Sequence, residues 1–449
     1  MNLDRRRALR LFGSAGVLSA ALGTVLAVRP TSTQPAEAAG TQFRGLWLST
    51  VENVDWPGDT GLSVSRQKSQ LRGILDRAQA YRFNAIIGQV RPNADTFWPS
   101  KLEPWSKWLT GKAGKNPGYD PLAYQIDQCH KRGLEFHAWF NPFRICSSAD
   151  FKKLPASHPG KKHPSWTVRY AGSVYYNPGL PEVRRHVRSV VLEVVGRYKI
   201  DGVHFDDYFY PYPVDGKKFD DDKAFKKHGG GKSRGAWRRA NITSFVADIH
   251  SSVKRVRPGV RFGISPFGIW RNRENDSRGS NTHGGESYSD NYADTYAWIK
   301  KGYVDYVVPQ LYWKQGFKVA DYNTLARWWA GVVKGTKVRL FIGQGAYRLG
   351  EEFGRNELDN HLGFDAKIPQ ITGEVFFSAH DMMKNKWKVF SRIANGKWKS
   401  RAVPWPATKP PKKPSPPAQK PQMSGGAVDM SGGVVQGNGG MSGGVTPTH

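Results

Sequence analysis

The sequence predicts an α/β protein that folds as a (β/α)8 TIM-type barrel with long βα loops. Eight short β-branched or aromatic runs alternate with eight amphipathic helical segments between residues 42 and 395, and such alternation is typical of a parallel sheet. Eight is also the number of units that closes a barrel. An open doubly wound sheet is the alternative, but no glycine-rich phosphate-binding turn follows the first strand.

Each unit of the barrel can be located from its residue pattern. The predicted strands are Phe43–Thr50, Asn84–Arg91, Leu134–Pro142, Gly202–Tyr208, Arg261–Gly268, Val304–Trp313, Val338–Tyr347 and Gly373–Asp381. The predicted helices are Ser65–Tyr81, Pro121–Lys131, Pro181–Tyr198, Ala236–Arg255, Tyr292–Lys301, Tyr322–Val333, Arg355–Leu362 and Met383–Ala394. Valine recurs at helical spacing in the third helix, which predicts one buried face.

Residues 1–38 resemble a twin-arginine signal peptide. A basic segment at 4–10 precedes an apolar run at 11–28, and residues 36–38 offer the small side chains of a cleavage site. A single membrane anchor is the alternative, but a run of about eighteen residues is marginal for spanning a bilayer. We expect a secreted or cell-wall-associated protein that begins near Ala39, with no membrane anchor.

The barrel is assigned to residues 39–402 and the remainder to a tail. Residues 403–449 are rich in Pro and Lys, then in Gly and Ser, and such a composition predicts disorder because it cannot bury a core. The net charge of +30 favours a polyanionic partner, and no nucleic-acid-binding motif accompanies it. Anionic polymers of a cell wall are therefore the expected partners, and the aromatic content of 12% suits a surface that stacks on sugar rings.

The two cysteines are predicted to be free thiols. In the barrel, Cys129 would lie late in the second helix, near the bottom, and Cys146 beyond the third strand, at the top. This separation exceeds the reach of a disulfide, which is about 7 Å between Cα atoms. No paired-cysteine zinc motif is present, and His137, His204 and Asp206 have no diagnostic metal-binding spacing. We expect neither a metal nor a cofactor.

The stretch Asp201–Pro213 contains the strongest candidate for a site. Residues alternate across a strand, so His204, Asp206 and Tyr208 share one face, which would line the barrel interior near its mouth. Asp207 follows where the strand should end. An isolated Asp pair is more often a loop cap and a salt bridge, but two carboxylates ringed by tyrosines are typical of a sugar-cleaving site.

Polar and aromatic residues also stand at the carboxyl ends of nearly all the other predicted strands, where barrels of this type hold their active sites. The residues predicted to bind substrate are Arg91, His137, Trp139, Asn141, His204, Tyr208, Gln310, Tyr312 and Trp313. Long loops follow strands three, four and five. We expect residues 153–176 to wall a groove and the middle of 217–239 to be mobile.

Glycoside hydrolysis usually needs two carboxyl groups. Asp206 is predicted to be the nucleophile or the group that stabilises a substrate acetamido group, and Asp207 to orient a sugar or supply the acid. No Glu stands at the end of strand four, six or seven. The further candidates for the second carboxyl are Asp95, Glu103, Asp55 and Asp381.

Several segments occur in an order that is specific to one family. They are Phe43–Thr50, 55–57, Gln89–Pro92, Glu103–Ser106, 130–133, His137–Arg144, Asp201–Pro211, 265–268 and Pro309–Trp313. Over residues 42–390 the chain thereby resembles glycosyl-hydrolase-like family ten, a family of bacterial exported proteins. The resemblance implies a glycosidase-type barrel. A characterised member cleaves peptide-free peptidoglycan strands as a lipid-anchored protein, but this chain has no anchoring Cys.

The sequence therefore predicts an exported glycoside hydrolase that acts on a cell-wall polysaccharide, most simply peptide-free peptidoglycan strands. An exopolysaccharide or another amino-sugar polymer remains an open alternative. A non-catalytic wall-binding protein is the second hypothesis, favoured by the basic charge and the missing Glu. A metal-dependent deacetylase of the same polymer is the third.

Overall fold

The computed structural model describes residues 40–405, in which eight parallel strands close a barrel in chain order. The barrel strands are β1 Phe43–Leu48, β2 Ala85–Arg91, β3 Glu135–Phe140, β4 Gly202–Phe205, β5 Arg261–Ile264, β6 Tyr306–Val307, β7 Arg339–Gly345 and β8 Ile371–Phe377. The predicted fold is confirmed. The predicted signal peptide and the tail beyond residue 405 lie outside the described residues.

Helices pack around the barrel. The outer helices are α1 Val64–Ala80, α2 Pro121–His130, α3 Pro181–Arg197, α4 Arg234–Val256, α5 Thr295–Lys300, α6 Tyr322–Val333, α7 Glu357–Asp365 and α8 Val389–Asn395. Five of them begin at a Ser or Asp whose side chain accepts a hydrogen bond from a backbone N–H of the first turn, which is the usual helix N-cap. The capping residues are Ser63, Asp120, Ser233, Asp294 and Asp321.

Side-chain alternation along the strands builds two apolar layers. Phe43 and Trp47 point into the barrel, where they pack with Tyr306 and Phe341, whereas Leu46 and Leu48 pack against the helices. The valine face of α3 is wholly buried against the sheet, as its spacing predicts.

Two glycines make room for these interior rings. A Cβ added at Gly263 would lie 2.1 Å from the Tyr306 ring, and one at Gly202 would lie 2.2 Å from the His137 ring. The rings of Tyr306 and His137 therefore occupy space that any larger residue on β5 or β4 would take.

Strands β5 and β6 are shorter than predicted because of two prolines. Pro266 and Pro309 carry no backbone N–H, so each interrupts the ladder of hydrogen bonds. Pairing resumes beyond them as single bridges that join Gln310 to Phe267 and to Gly343. The chain thus continues upward at the mouth of the barrel without regular strand structure.

The predicted helix Met383–Ala394 is wrong as a single element. One helix spans Ala379–Lys384, and α8 begins at Val389. Asn385, with φ 45°, ends the first helix in the left-handed region, and its side chain accepts from the backbone N–H of Phe390 in α8. The asparagine therefore separates the two helices, as this residue tolerates left-handed backbone.

Two loops at the mouth have their own structure. Antiparallel strands at Arg144–Ser147, Thr167–Tyr170 and Ser173–Tyr176 form a small sheet after β3. The expected mobile segment after β4 instead contains a helix, Asp222–His228, that begins beside an ion pair of Asp221 with Arg238. Other short helices span Lys107–Thr110, Ser148–Lys153, Pro159–Lys162 and Ser287–Asp290.

Cys129 on α2 and Cys146 beyond β3 are both buried, free thiols, as predicted. Burial raises the pKa of both thiols, so both are inert at neutral pH.

Candidate active site

Asp206 lies directly after β4, at the carboxyl end of the barrel. Its Oδ2 accepts hydrogen bonds from Trp139 Nε1 and Asn141 Nδ2, both at 3.1 Å, and its Oδ1 accepts one from the backbone N–H of Tyr208 at 3.2 Å. Trp139 lies on the neighbouring strand β3 and Asn141 just beyond it. The structure therefore brings together three residues that the sequence placed at the mouth, whereas their roles stay predictions.

The environment of Asp206 favours its neutral form. The side chain is 4% exposed. Burial, followed by the negative charge of Asp207, raises the pKa of Asp206 to about 7, while the positive charge of Arg144 opposes this rise. A carboxyl group that keeps a proton near neutral pH is suited to donate it to a leaving group.

Asp207 lies beside Asp206 but is held by different elements. Gln310 Nε2, beyond β6, donates to Asp207 Oδ1 and to the carbonyl of Ser265, each at 2.9 Å. The hydroxyl of Tyr212 donates to Oδ2. Amide and hydroxyl donors on both oxygens suit a carboxylate that accepts hydrogen bonds.

Arg91 and Glu103 form a buried ion pair beside the site. Arg91 Nε and Nη2 reach the two carboxylate oxygens of Glu103 at 2.6 Å, and both side chains are fully buried. Arg91 Nη1 donates to the backbone carbonyls of Asn141 and Pro142. The pair therefore fixes the turn that carries Asn141, and the catalytic role of Glu103 and the substrate-binding role of Arg91 stay predictions.

Burial and charge act in opposite directions on Glu103. Burial would raise its pKa, but Arg91, together with His186 at 3.0 Å, holds the pKa well below its usual range. Glu103 is thus ionised at neutral pH and has no proton to give.

The other candidate carboxyls are also engaged in structure. Asp55 accepts from Ser378 Oγ at 2.6 Å and from the backbone N–H of Ser49 at 2.6 Å, so it joins the ends of β1 and β8. Asp381 completes the capping box of the helix that starts after Ser378. Asp95 accepts from the backbone N–H of Asn93 in its own loop at 3.1 Å. These contacts do not reach the Asp206–Asp207 pair.

His137 and His204 lie inside the barrel, below the residues that hold Asp206. Both are fully buried. His137 lies two residues nearer the start of β3 than Trp139, which is about 6.6 Å deeper at the usual rise per residue. The structure thus places both rings deeper than the mouth, and the prediction that they bind substrate stays untested.

The hydrogen bonds of this lower half run in one direction. Trp47 Nε1 is a donor only, so His204 Nε2 accepts its hydrogen bond at 3.4 Å. Burial lowers the pKa of His204 well below its usual value, so the ring is neutral and its Nδ1–H donates to the Tyr306 hydroxyl at 3.2 Å. Tyr306 then donates to His137 Nδ1 at 2.8 Å, and His137 Nε2 donates to Glu135 at 3.1 Å.

Half-buried aromatic rings surround the aspartate pair. Tyr208 and Tyr212 meet edge to face at 5.7 Å, Tyr212 contacts Phe267 at 6.0 Å, and Phe267 contacts Trp313 at 5.5 Å. Tyr312 is 6% exposed and packs on Phe377 and Tyr347. Such rings are suitable platforms for the apolar faces of sugars.

Three residues at the site were missed as site residues. Arg144 closes the segment His137–Arg144, and its charge acts on Asp206. Tyr212 contacts Asp207, and Gln89 Oε1 accepts from the backbone N–H groups of Thr50 and Val51 after β1. Gln89 lies near the end of a predicted strand, and Tyr212 lies among the tyrosines after Asp207. These positions indicated a place near the site, but they did not distinguish either residue from its neighbours.

The loop after β3 walls a groove, as predicted for residues 153–176. A cavity of about 430 Å³ is lined by Trp105, Lys162, Trp166, His186 and Glu103. A second cavity, of about 300 Å³, lies against Tyr210 and Arg238. The Asp206–Asp207 pair lines neither of them.

Among residues 40–405, no group of three or more His, Cys, Asp or Glu side chains is arranged to hold a metal ion. The helices of this part of the chain are all too short or too polar to cross a membrane.

The chain is similar in sequence to known proteins over most of its length. The model of the family described as glycosyl hydrolase-like 10 matches residues 42–359. The chain belongs to this family. Glycosyl hydrolase YngK of Bacillus subtilis is 42% identical over 386 residues, which cover 83% of this chain and 76% of the relative. Glycosyl hydrolase DigH of Escherichia coli K12 is 37% identical over 399 residues, which cover 83% and 90%. Its family places the protein among the glycoside hydrolases.

Solved structures show the same fold at low sequence identity. The glycoside hydrolase domain of PgaB (BpsB) from Bordetella bronchiseptica superposes with a TM-score of 0.56 at 11% identity, covering 81% of this chain and 99% of that domain. The catalytic domain of a Paenibacillus polymyxa β-amylase gives a TM-score of 0.51 at 11% identity, covering 79% and 99%. The barrel is thus shared with enzymes that act on glycosidic bonds.

Proposed function

We propose that this protein is an exported glycoside hydrolase that cleaves the glycan strands of peptidoglycan after their peptides have been removed. The observation that carries the proposal is the Asp206–Asp207 pair at the barrel mouth. One of its carboxyls has a pKa raised to about 7, the other accepts two strong hydrogen bonds, and aromatic rings surround both.

The environments of the two carboxyls divide their roles. Asp206 keeps its proton near neutral pH and supplies it to the glycosidic oxygen of the leaving sugar. Asp207, held by Gln310 and Tyr212, acts as the carboxylate that stabilises positive charge on the substrate. This reverses the roles that the sequence suggested for the pair, because burial and the charge of Asp207 raise the pKa of Asp206 to about 7.

The other candidate carboxyl groups are held by the protein, so the nucleophile must come from another source. Glu103, Asp95 and Asp55 are all held by protein donors away from the pair. A substrate that carries an acetamido group can supply its own nucleophile, as some glycosidase families allow, and Asp207 would then orient that group. Peptidoglycan carries an acetamido group on each sugar, which supports this polymer among the alternatives.

Export and charge support a substrate in the cell wall. Residues 1–38 have the pattern of a signal peptide, and the net charge of +30 favours anionic wall polymers. Both features lie outside the geometry of the site, so they concern where the enzyme acts and not how.

The test is to incubate residues 39–449 with purified peptide-free glycan strands and read the products by mass. Shorter saccharides that are absent with Asp206→Asn establish the activity and its polymer. Intact strands that sediment with the protein would instead support a wall-binding protein. Intact strands without binding would reject this polymer.

Substrates with different leaving groups test the division of roles. An aryl glycoside with an acidic phenol leaves without protonation, so Asp206→Asn should keep much of its activity on it, and Asp207→Asn should not. The opposite pattern would exchange the two roles.

A further inference from the structure

We infer that Arg144, Asn93 and Tyr208 form a carboxylate-binding subsite beside the catalytic pair, and that it selects sugars bearing a free carboxylate. The inference rests on the proposed function, because it names the group on the glycan that the site reads. It starts from a guanidinium at the mouth whose donors the protein leaves largely unused.

Arg144 is held in place but is not neutralised. Its backbone N–H donates to Asn141 Oδ1 at 3.1 Å, and its Nη2 donates to the carbonyl of Pro92 at 3.3 Å. Within residues 40–405, no carboxylate lies within ion-pair distance of it. Its Nε is buried and has no hydrogen-bond partner in the described structure.

A second unsatisfied group lies next to it. Asn93 follows Pro92, the residue whose carbonyl Arg144 contacts, and the buried Oδ1 of Asn93 also has no partner in the described structure. The two ends of a side-chain amide exchange by a simple flip, so Asn93 can present its N–H₂ instead. Buried polar groups are normally paired. Other unsatisfied atoms occur within residues 40–405, but these two lie together and adjoin Asn141, which holds Asp206.

The geometry of the guanidinium selects the class of ligand. Its planar fork matches a carboxylate, to which Nε and one Nη donate together. The guanidinium carbon lies 5.2 Å from the centre of the Tyr208 ring, so this aromatic ring forms one wall of the subsite. Tyr208 also donates its backbone N–H to Asp206, so the subsite and the catalytic carboxyl share one loop.

The carboxylate is a feature of the peptide-free strand. Each muramic acid residue of that strand carries a free carboxylate on its lactyl ether. When a peptide is attached, the same carbon becomes an amide, which has no negative charge and only one acceptor oxygen. The subsite therefore makes removal of the peptides a requirement for tight productive binding, and a neutral amino-sugar polymer would lack the group altogether.

The test compares two forms of one substrate. Peptide-free strands are used as purified and after their carboxylates have been converted to methylamides. A charge-assisted hydrogen bond contributes roughly 1.5–3 kcal/mol, so kcat/KM of the natural protein should fall about 10- to 100-fold on the amidated strands. Arg144→Gln should lose a similar factor on the carboxylate strands and little more on the amidated ones.

Equal losses with Arg144→Gln on both substrates would overturn the subsite, because they would mean that Arg144 acts through Asp206. Arg169→Gln is the matched control, since it removes an exposed Arg from the same small sheet and should change neither value. Circular dichroism and melting temperature verify that each variant is folded.

Binding separates this inference from the proposed function. Sedimentation of inactive Asp206→Asn with the two strand preparations should show tighter binding to the carboxylate form, and Arg144→Gln should abolish the difference. If no strand is cleaved but this difference is found, the hydrolase proposal fails and the subsite stands. If strands are cleaved equally well in both forms, the hydrolase proposal stands and the subsite fails.

Discussion

In the lower half of the barrel interior, the hydrogen-bond chain from Trp47 through His204, Tyr306 and His137 ends on Glu135. Glu135 is in turn neutralised by Arg261 at 2.7 Å. At the mouth, Asp206 directly follows β4 and has a raised pKa. Gln89 Nε2 on β2 and Arg144 Nε beyond β3 have no hydrogen-bond partner in the described structure. Inside the barrel, the polar groups of this chain of hydrogen bonds are therefore paired, whereas within residues 40–405 Gln89 and Arg144 at the mouth each keep a buried nitrogen without a partner.

This difference explains how one barrel can have a stable lower half and a reactive mouth. Buried polar groups are stabilising only when their hydrogen bonds are satisfied. The lower half meets that condition through the chain of hydrogen bonds from Trp47 to Glu135, so it costs little to bury. The mouth does not meet this condition. A bound sugar can make the missing hydrogen bonds there and so recover the free energy that the unsatisfied groups cost. Four experiments test this difference between the two halves of the barrel.

The largest expected effect comes from Glu103→Gln, at the base of the mouth. Removing the carboxylate leaves the guanidinium of Arg91 buried without its counter-ion, which should lower the free energy of unfolding by about 3–5 kcal/mol. Urea unfolding at pH 7 measures it. Asp127→Asn breaks an exposed pair with Lys131 on α2 and should leave the unfolding midpoint unchanged. A loss equally small for Glu103→Gln would mean that the buried pair does not support the mouth.

Trp405→Ala tests the opposite end of the barrel. The indole lies between the guanidinium groups of Arg261 and Arg339, at 4.6 and 5.2 Å, and packs against Phe341 at 5.8 Å. The ring is partly exposed, so truncation should cost roughly 2 kcal/mol of stability. The value of kcat below the melting temperature should not change. A lower kcat with unchanged melting would show that the bottom of the barrel contributes to the chemistry.

The third effect is the dependence of activity on pH. Asp206 must be protonated to act as the acid, and its pKa is raised to about 7, so kcat should fall about tenfold for each pH unit above that value. An aryl glycoside with an acidic leaving group should show no such fall. Constant activity from pH 6 to pH 9 on the natural glycan would rule out Asp206 as the proton donor.

The smallest effect is expected for Tyr212→Phe, which removes one donor from Asp207. The loss of a single hydrogen bond to a carboxylate should reduce kcat/KM by a factor of about ten, or roughly 1.5 kcal/mol. Tyr303→Phe, near the end of α5, is the control and should leave kcat/KM unchanged. Full activity of Tyr212→Phe would show that the hydrogen bond from the Tyr212 hydroxyl does not support the role of Asp207.

The fold and the centre of the site could be predicted from the sequence because both depend on periodicity. Alternation along the strands placed Asp206, Trp139 and Asn141 on inward faces, and the barrel rule brought their strand ends together. The height of a residue between the bottom and the mouth of the barrel could not be predicted in the same way. His137 shares the face of Trp139 but lies two residues lower, and this decides whether it contacts substrate or the barrel interior.

Long-range pairing was the second feature that the sequence left open. Glu103 follows Arg91 by twelve residues across an irregular loop, and no local pattern indicates that the two side chains meet face to face. The same limit applies to the break at Asn385. The helical pattern predicted for Met383–Ala394 continues across this residue, but the Asn385 side chain accepts a hydrogen bond from the first turn of α8, and its left-handed backbone ends the preceding helix.

The most direct test of the comparison measures both activity and stability of Asp206→Asn at pH 8. The folded protein holds the proton of Asp206 more tightly than the unfolded chain, so its contribution to stability is present at low pH and is lost as the pH rises towards about 7. The account predicts that the variant loses at least about a hundredfold in kcat on the glycan and melts no lower than the natural protein. Full activity, or a clear loss of stability at pH 8, would contradict it.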